Sequence, residues 1–266
     1  MTILDEIMQF KKQEVADRKS IYPVKLLEQS IFFDSPKVSF KEYLKRPDKL
    51  GIIAEFKRKS PSKGEINGNA LVEKVTIGYM KSGASALSVL TDQKYFGGNS
   101  DDLKMARKFN FCPILRKDFV CDEYQILEAK SMGADVILLI AAALTVQEVK
   151  DLSAFAKSIG LEVLLEIHNE AELEHYNDNV DVLGVNNRDL KRFKTDIQNS
   201  IDLFDKMPKE VVKISESGIH TPEHLVKLKN AGFEGFLIGE GFMKSANPVQ
   251  ACQQFIKDCN SLIHAG

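Results

Sequence analysis

The sequence predicts a (β/α)₈ barrel, an α/β fold of the TIM-barrel class, carrying an N-terminal helical extension. Three observations predict it. Eight short apolar runs recur after residue 50, each is followed by a polar loop and a longer segment of helical period, and the runs are apolar almost throughout instead of alternating. Near-continuous apolar strands with helices between them indicate a parallel sheet covered by those helices. Eight such units in 266 residues fit a closed barrel, read as one domain over 1–266. The competing open, doubly wound sheet is weaker, because no G-x-G-x-x-G follows the first run.

Residues 1–50 precede the first run. ILDEIMQFKKQEVADRKS sets Ile3, Leu4, Ile7, Met8 and Val15 at helical spacing, which predicts one or two helices packed on the barrel, with a place over one mouth open to them. The expected strands are GIIAEF (51–56), ASALSVL (84–90), PILRKDF (113–119) and ADVILLI (134–140), then LEVLLEI (161–167), DVLGVNN (181–187), VVKISES (211–217) and EGFLIGE (234–240). Helical segments such as DEYQILEAKSMG and TVQEVKDLSAFAKSIG lie between them. Several open on an N-cap type, at Asp122, Thr145 and Thr221, and close at glycines 83, 133, 160 and 232. No Gly/Ser-rich linker marks off a second domain.

Composition narrows the function. A formal net charge of -2 provides no global positive field for nucleic acid or an anionic membrane. The four cysteines form no CxxC pair and no metal-ligand spacing with the five histidines, so no metal is expected and reduced thiols fit a cytoplasmic setting. Asp5, Glu6 and Glu14 break any secretory h-region, and the longest apolar run, VILLIAAAL (136–144), is far short of a membrane span.

The strand ends carry the chemistry. Successive strand residues face opposite sides. Glu55 and Lys57 share parity with Ile53, Lys117 with Leu115 and Phe119, Glu166 with Leu164, and Asn186 with Gly184. With those parities facing the axis, two lysines, two carboxylates and an amide converge on the C-terminal mouth, where barrel enzymes keep their active sites. The seventh and eighth runs end instead in SESGI (215–219) and LIGEG (237–241), the positions of a phosphate cradle, with a short helix expected within FMKSANPVQ (242–250). His168 shares the parity of Glu166, and a loop-capping or supporting place is favoured for it over a catalytic one.

These stretches are recognisable together. AEFKRKSPSKG, LTDQKYFGG, ILRKDFV, LLEIHNEAEL, GVNNRDL, ISESGI and LIGEGFM resemble indole-3-glycerol phosphate synthases over essentially the full length of the chain. The resemblance implies closure of 1-(2-carboxyphenylamino)-1-deoxyribulose 5-phosphate to indole-3-glycerol phosphate with loss of CO₂ and water, a lyase step of tryptophan biosynthesis needing no metal or organic cofactor. It makes Lys117 the general acid at the substrate ketone. Lys57 becomes the partner of the substrate carboxylate and a candidate acid for dehydration. Glu166 and Glu55 become the carboxylates that stabilise the iminium or take a proton, with Asn186 and Arg188 orienting the ring substituents. Ser60, Ser217, Gly218, Gly239 and Glu240 match phosphate-loop positions, and Phe96, Phe119, Leu138 and Leu190 the apolar sleeve around the ring. Glu240 stands where many family members have serine, so its N–H is expected to bind while its side chain turns outward. The expected partner is a phosphorylated small molecule, and the chain is expected to be a monomer or weak homo-oligomer. Two rivals compete: a phosphoribosylanthranilate isomerase, which would place a Cys/Asp pair where Glu55, Lys57 and Lys117 stand, and a non-catalytic scaffold barrel, against which the retained lysines and glutamates argue.

Overall fold

Eight parallel strands close on themselves, β1 (Ile52–Phe56), β2 (Ala86–Leu90), β3 (Ile114–Lys117), β4 (Val136–Ile140), β5 (Glu162–Ile167), β6 (Val182–Asn186), β7 (Val212–Glu216) and β8 (Gly235–Ile238). Strand β1 pairs with β2 on one side and β8 on the other, which completes the barrel and leaves it no free edge. The structure, a computed structural model, describes residues 2–189 and 194–265.

All eight predicted runs become barrel strands, and their two faces explain the near-continuous apolarity. Ile53, Ala86, Leu115, Val136, Leu138, Leu164, Val182, Ile214 and Leu237 fill the interior. Their neighbours Ile52, Ala54, Phe56, Leu87 and Val163 pack outward against the helices. Gly51, entering β1, has φ 82°, and a Cβ there would lie 1.9 Å from the carbonyl oxygen of Glu234, so this position admits glycine alone.

The helices are α1 (Ile3–Ile21), α2 (Val24–Glu28), α3 (Phe40–Leu44), α4 (Val72–Ser82), α5 (Ser100–Phe109), α6 (Glu123–Met132), α7 (Val146–Ser158), α8 (Gln198–Phe204), α9 (Pro222–Asn230), α10 (Glu240–Met243) and α11 (Pro248–Ala265). A 3₁₀ turn, Glu170–His175, stands in for the covering helix between β5 and β6. Asp122 caps α6 and Thr145 closes a capping box with Glu148 on α7, as their sequence positions predict. Thr221 sits at the N-cap of α9 but makes no side-chain cap bond; Pro222 at the first helical position supplies the start instead.

Two expectations need correction. The N-terminal extension holds three helices, and it serves both ends of the barrel. Phe40 and Leu44 of α3 join the interior cluster as a plug, while Ile3, Leu4 and Ile7 of α1 line the cavity at the other mouth. The short helix after β8 begins at Glu240, earlier than the stretch 242–250, because the N–H groups of Phe242 and Met243 donate straight back to the carbonyl of Gly239.

Candidate active site

The C-terminal ends of the strands open into a cavity of about 210 Å³. Every parity inferred from the strand ends holds, since Glu55, Lys57, Lys117, Glu166 and Asn186 all line it. Strand register sets the layer: Glu55 lies beside Ser88, Leu90 beside Lys117, Ile140 beside Glu166, and Asn186 beside Glu216. Two glycines make room. A Cβ on Gly184 would come 2.6 Å from Glu216 Oε1, and one on Gly239 would come 2.3 Å from Glu55 Oε1.

Lys117 is the centre of the charge cluster. Its Nζ donates to Glu166 Oε2 and to Glu216 Oε2, each at 2.8 Å. Burial works against its charge, but Glu166, Glu216 and Glu55 outweigh it and lift the ammonium well above the usual lysine range. Lys57 donates to Glu55 Oε1 at 2.7 Å. The two carboxylates on Lys117 differ. For Glu166, the Lys117 ammonium and His168 overcome burial and hold the carboxyl down at about 2. For Glu216, burial, with Glu166 and Glu55 nearby, pushes the carboxyl up to about 7.

Glu216 is the site residue that sequence reasoning missed. The signal was present, because Glu216 shares parity with the inward Ile214; the glycines that follow drew SESGI toward a phosphate reading alone. Its raised carboxyl makes a stability prediction. A carboxyl pushed up from 4.5 on folding takes up a proton as the chain folds, so its contribution to stability falls as pH rises above that value. Glu216→Gln should therefore raise the unfolding free energy at pH 8, with the gain gone below about pH 4. Urea unfolding at the two pH values checks it; an equal or lower stability of the variant at pH 8 contradicts it.

The far side of the cavity is built from loops. Ser60, Ser217, Gly218, Gly239 and Glu240 line it together. Ser60 is buried, and its Oγ has no hydrogen-bond partner among the described residues. Ser217 and Gly218 are both left-handed, at φ 66° and 77°. Asn187 holds this turn from behind, donating to Ser217 O at 3.0 Å and to Ser215 Oγ at 2.9 Å. The Glu240 side chain is 25% exposed and faces Arg188 Nη2 at 3.7 Å and Lys63 Nζ at 3.9 Å, opposite charges that offset its carboxylate. Arg188 also donates to Ser62 Oγ at 2.7 Å, tying the β6 loop to the β1 loop.

The remaining wall is apolar. Phe96, Phe119 and Leu138 line it, with the Phe96 and Phe119 rings 5.9 Å apart. Ile3, Leu4 and Ile7 of α1 add to it, a contribution that helical spacing alone could not assign to this mouth. Leu190, the fourth expected member of the sleeve, lies outside the described residues.

A barrel mouth combining this charge cluster, loop cradle and apolar wall can be compared with known proteins. Residues 4–255 match the family model described as indole-3-glycerol phosphate synthase. A Bacteroides thetaiotaomicron indole-3-glycerol phosphate synthase is 48% identical over 255 residues, 96% of this chain and 98% of the relative. The chain belongs to the indole-3-glycerol phosphate synthase family. A Bacillus cereus synthase of the same name is 43% identical over 261 residues, covering 97% of this chain and 98% of its own. Among solved structures, the tryptophan synthase complex of Pyrococcus furiosus superposes with a TM-score of 0.59 at 15% identity, over 80% of this chain and 99% of the matched one, a likeness of fold. No helix among the described residues of this synthase-family chain is long and apolar enough to cross a membrane.

Proposed function

We propose that this chain converts 1-(2-carboxyphenylamino)-1-deoxyribulose 5-phosphate into indole-3-glycerol phosphate, CO₂ and water, acting as one barrel unit on a phosphorylated small molecule in the tryptophan pathway. The observation that carries the reading is Lys117, an ammonium fixed between two carboxylates at 2.8 Å inside a cavity lined both by apolar side chains and by the glycine-containing loops after β7 and β8.

The residues then divide the work. Backbone N–H groups around Gly218, Gly239 and Glu240, with the free hydroxyl of Ser60 and that of Ser217, receive the phosphate. Anchoring that end brings the ring carbon against the ketone in a reactive orientation. The ring lies along Phe96, Phe119 and Leu138, with Asn186 and Arg188 directing its substituents. As the ring carbon attacks, the ketone oxygen gains negative charge and the anilino nitrogen becomes an iminium. Lys117 delivers the proton to the oxygen, and Glu166 and Glu55 stabilise the cation; fixed charges in a water-poor mouth do this without reorganising. Lys57 pairs with the substrate carboxylate until CO₂ departs and its bonding electrons neutralise the iminium. In the last step Lys57, released when CO₂ has gone, gives a proton to the new hydroxyl, which leaves as water, and a ring proton goes to a carboxylate. Glu216, whose carboxyl burial pushes up to about 7, is suited to moving that proton near neutral pH.

Purified protein mixed with the carboxyphenylamino substrate tests the reading: indole absorbance and fluorescence should grow with one CO₂ released per product. An unchanged substrate, or an isomerised one without CO₂, overturns it. The cradle makes its own prediction. Ser217 is the non-glycine residue at positive φ among those described, a strain of about 1–2 kcal/mol for an L-residue. Ser217→Gly should stabilise the fold by up to about 1 kcal/mol and raise KM by about fivefold through the lost hydroxyl. A KM equal to that of the parent removes the Ser217 side chain from the anion seat.

A further inference from the structure

We propose that His168 is a positioning residue for this reaction, its imidazole bridging Glu166 to Glu172 and so fixing the carboxylate that faces Lys117. The inference rests on the functional reading above.

The puzzle it answers is an asymmetry. Glu166 and Glu216 each accept from Lys117 at the same 2.8 Å, and both are almost fully buried. Their surroundings differ: Asn186 and His168 stand by Glu166, and Glu55 stands by Glu216. His168 Nε2 lies 3.6 Å from Glu166 Oε1, the oxygen that Lys117 does not contact.

His168 is built for the position. Its backbone N–H donates to Glu172 Oε2 at 2.7 Å and its carbonyl accepts from Asn199 Nδ2 at 3.0 Å, so the residue is pinned at both ends of its peptide. Glu172 is itself oriented by Asn169 Nδ2 at 2.6 Å. The ring Nδ1 faces Glu172 Oε2 at 3.4 Å. Both ring nitrogens are nonetheless buried without a hydrogen bond. Buried polar atoms in that state are uncommon and call for an explanation; here the ring stands within ion-pair range of two carboxylates, and a small movement of either closes the contact.

The charged groups around the ring agree. Glu166 on β5, Glu172 on the following turn and Glu216 on β7 face it, and Lys117 on β3 stands beyond Glu166. Burial works against the imidazolium, but the three carboxylates lift its pKa above the ordinary histidine value. A charged His168 therefore favours the ionised form of Glu166 beside Lys117.

His168→Gln tests this. The expected result is a kcat about tenfold lower with KM within about threefold of the parent, and an acid limb of the kcat–pH profile displaced to higher pH because Glu166 loses a stabilising charge. Glu172→Gln should displace the limb the same way by less, and the double variant should lose little more than His168→Gln. A separate arm needs no turnover: the NMR titration midpoint of His168 should fall in Glu166→Gln and again in Glu172→Gln. A His168→Gln enzyme with parental kcat and profile, a lowered kcat with an unmoved acid limb, or a midpoint indifferent to Glu166 each overturns the proposal. Absence of indole product from the parent protein would refute the functional reading instead, and the titration would still decide whether His168 and Glu166 are coupled.

Discussion

Lys117→Met should lower turnover by about 10²–10⁴ while leaving substrate binding measurable. Methionine keeps the length and the apolar stem of the side chain but carries neither proton nor charge. The ketone oxygen then develops negative charge with no acid beside it, and the barrier to ring closure rises accordingly. Binding is spared for a physical reason. Removing the ammonium leaves Glu166 and Glu216 close together and buried, and two carboxylates in that state share a proton instead of both staying ionised. The site that meets the anionic substrate therefore gains little negative charge. Single-turnover kinetics with the carboxyphenylamino substrate, set beside a binding titration of the same variant, separates the effects. A turnover within tenfold of the parent removes Lys117 from the acid role.

Lys11→Met should cost about 3–5 kcal/mol of stability, the size expected when one partner of a buried charge network is removed. Lys11 is 1% exposed on α1, with its Nζ 2.6 Å from Glu14, 2.8 Å from Asp92 and 3.0 Å from Asp118. The carboxylates keep other partners, Arg116 and Thr91 on Asp118 and the N–H groups of Tyr95 and Phe96 on Asp92, but a negative excess stays behind in a dry interior. The loss reaches function because α1 carries Ile3, Leu4 and Ile7 to the cavity wall, so KM should rise along with the fall in stability. The network also sets an acid limit. Despite burial, Arg116 and Lys11 hold Asp118 far below the usual carboxylate range. Its stabilising contribution is therefore present above the unfolded value of 3.8 and is lost as pH falls below it. Urea unfolding of parent and variant at neutral pH checks the magnitude; a difference under about 1 kcal/mol contradicts the network argument.

What the chain disclosed before folding follows from which signals are local. Strand β5 reads directly off LEVLLEI, because a strand buried on both faces is mostly apolar, and the buried Glu166 near its C-terminal end then stands out. Parity carried Glu55, Lys57, Lys117 and Asn186 to the right side for the same reason. Glu216 obeyed the identical rule and was passed over because the glycines after it carry a stronger local message. The helices of the extension were partly legible. Periodicity marked α1, but the plug formed by Phe40 and Leu44 depends on joining the interior cluster of the barrel strands, which no local pattern encodes. The partners of Glu240 were not legible locally: Arg188 and Lys63 are brought to it by two other loops. Lys11 reads as an ordinary solvated helix charge until Asp92 and Asp118 close over it.

The central claim is that the phosphate seat and the Lys117 cluster act on one substrate in one mouth. A crystal structure of the Lys117→Met variant soaked with the carboxyphenylamino substrate measures this most directly. The account predicts phosphate density against Ser60, Gly218 and Gly239, the ring along Phe96 and Phe119, and the ketone oxygen within about 4 Å of the side chain at position 117, near the reach a proton donor needs. Phosphate density outside those loops, or a ketone oxygen directed away from position 117, would contradict it.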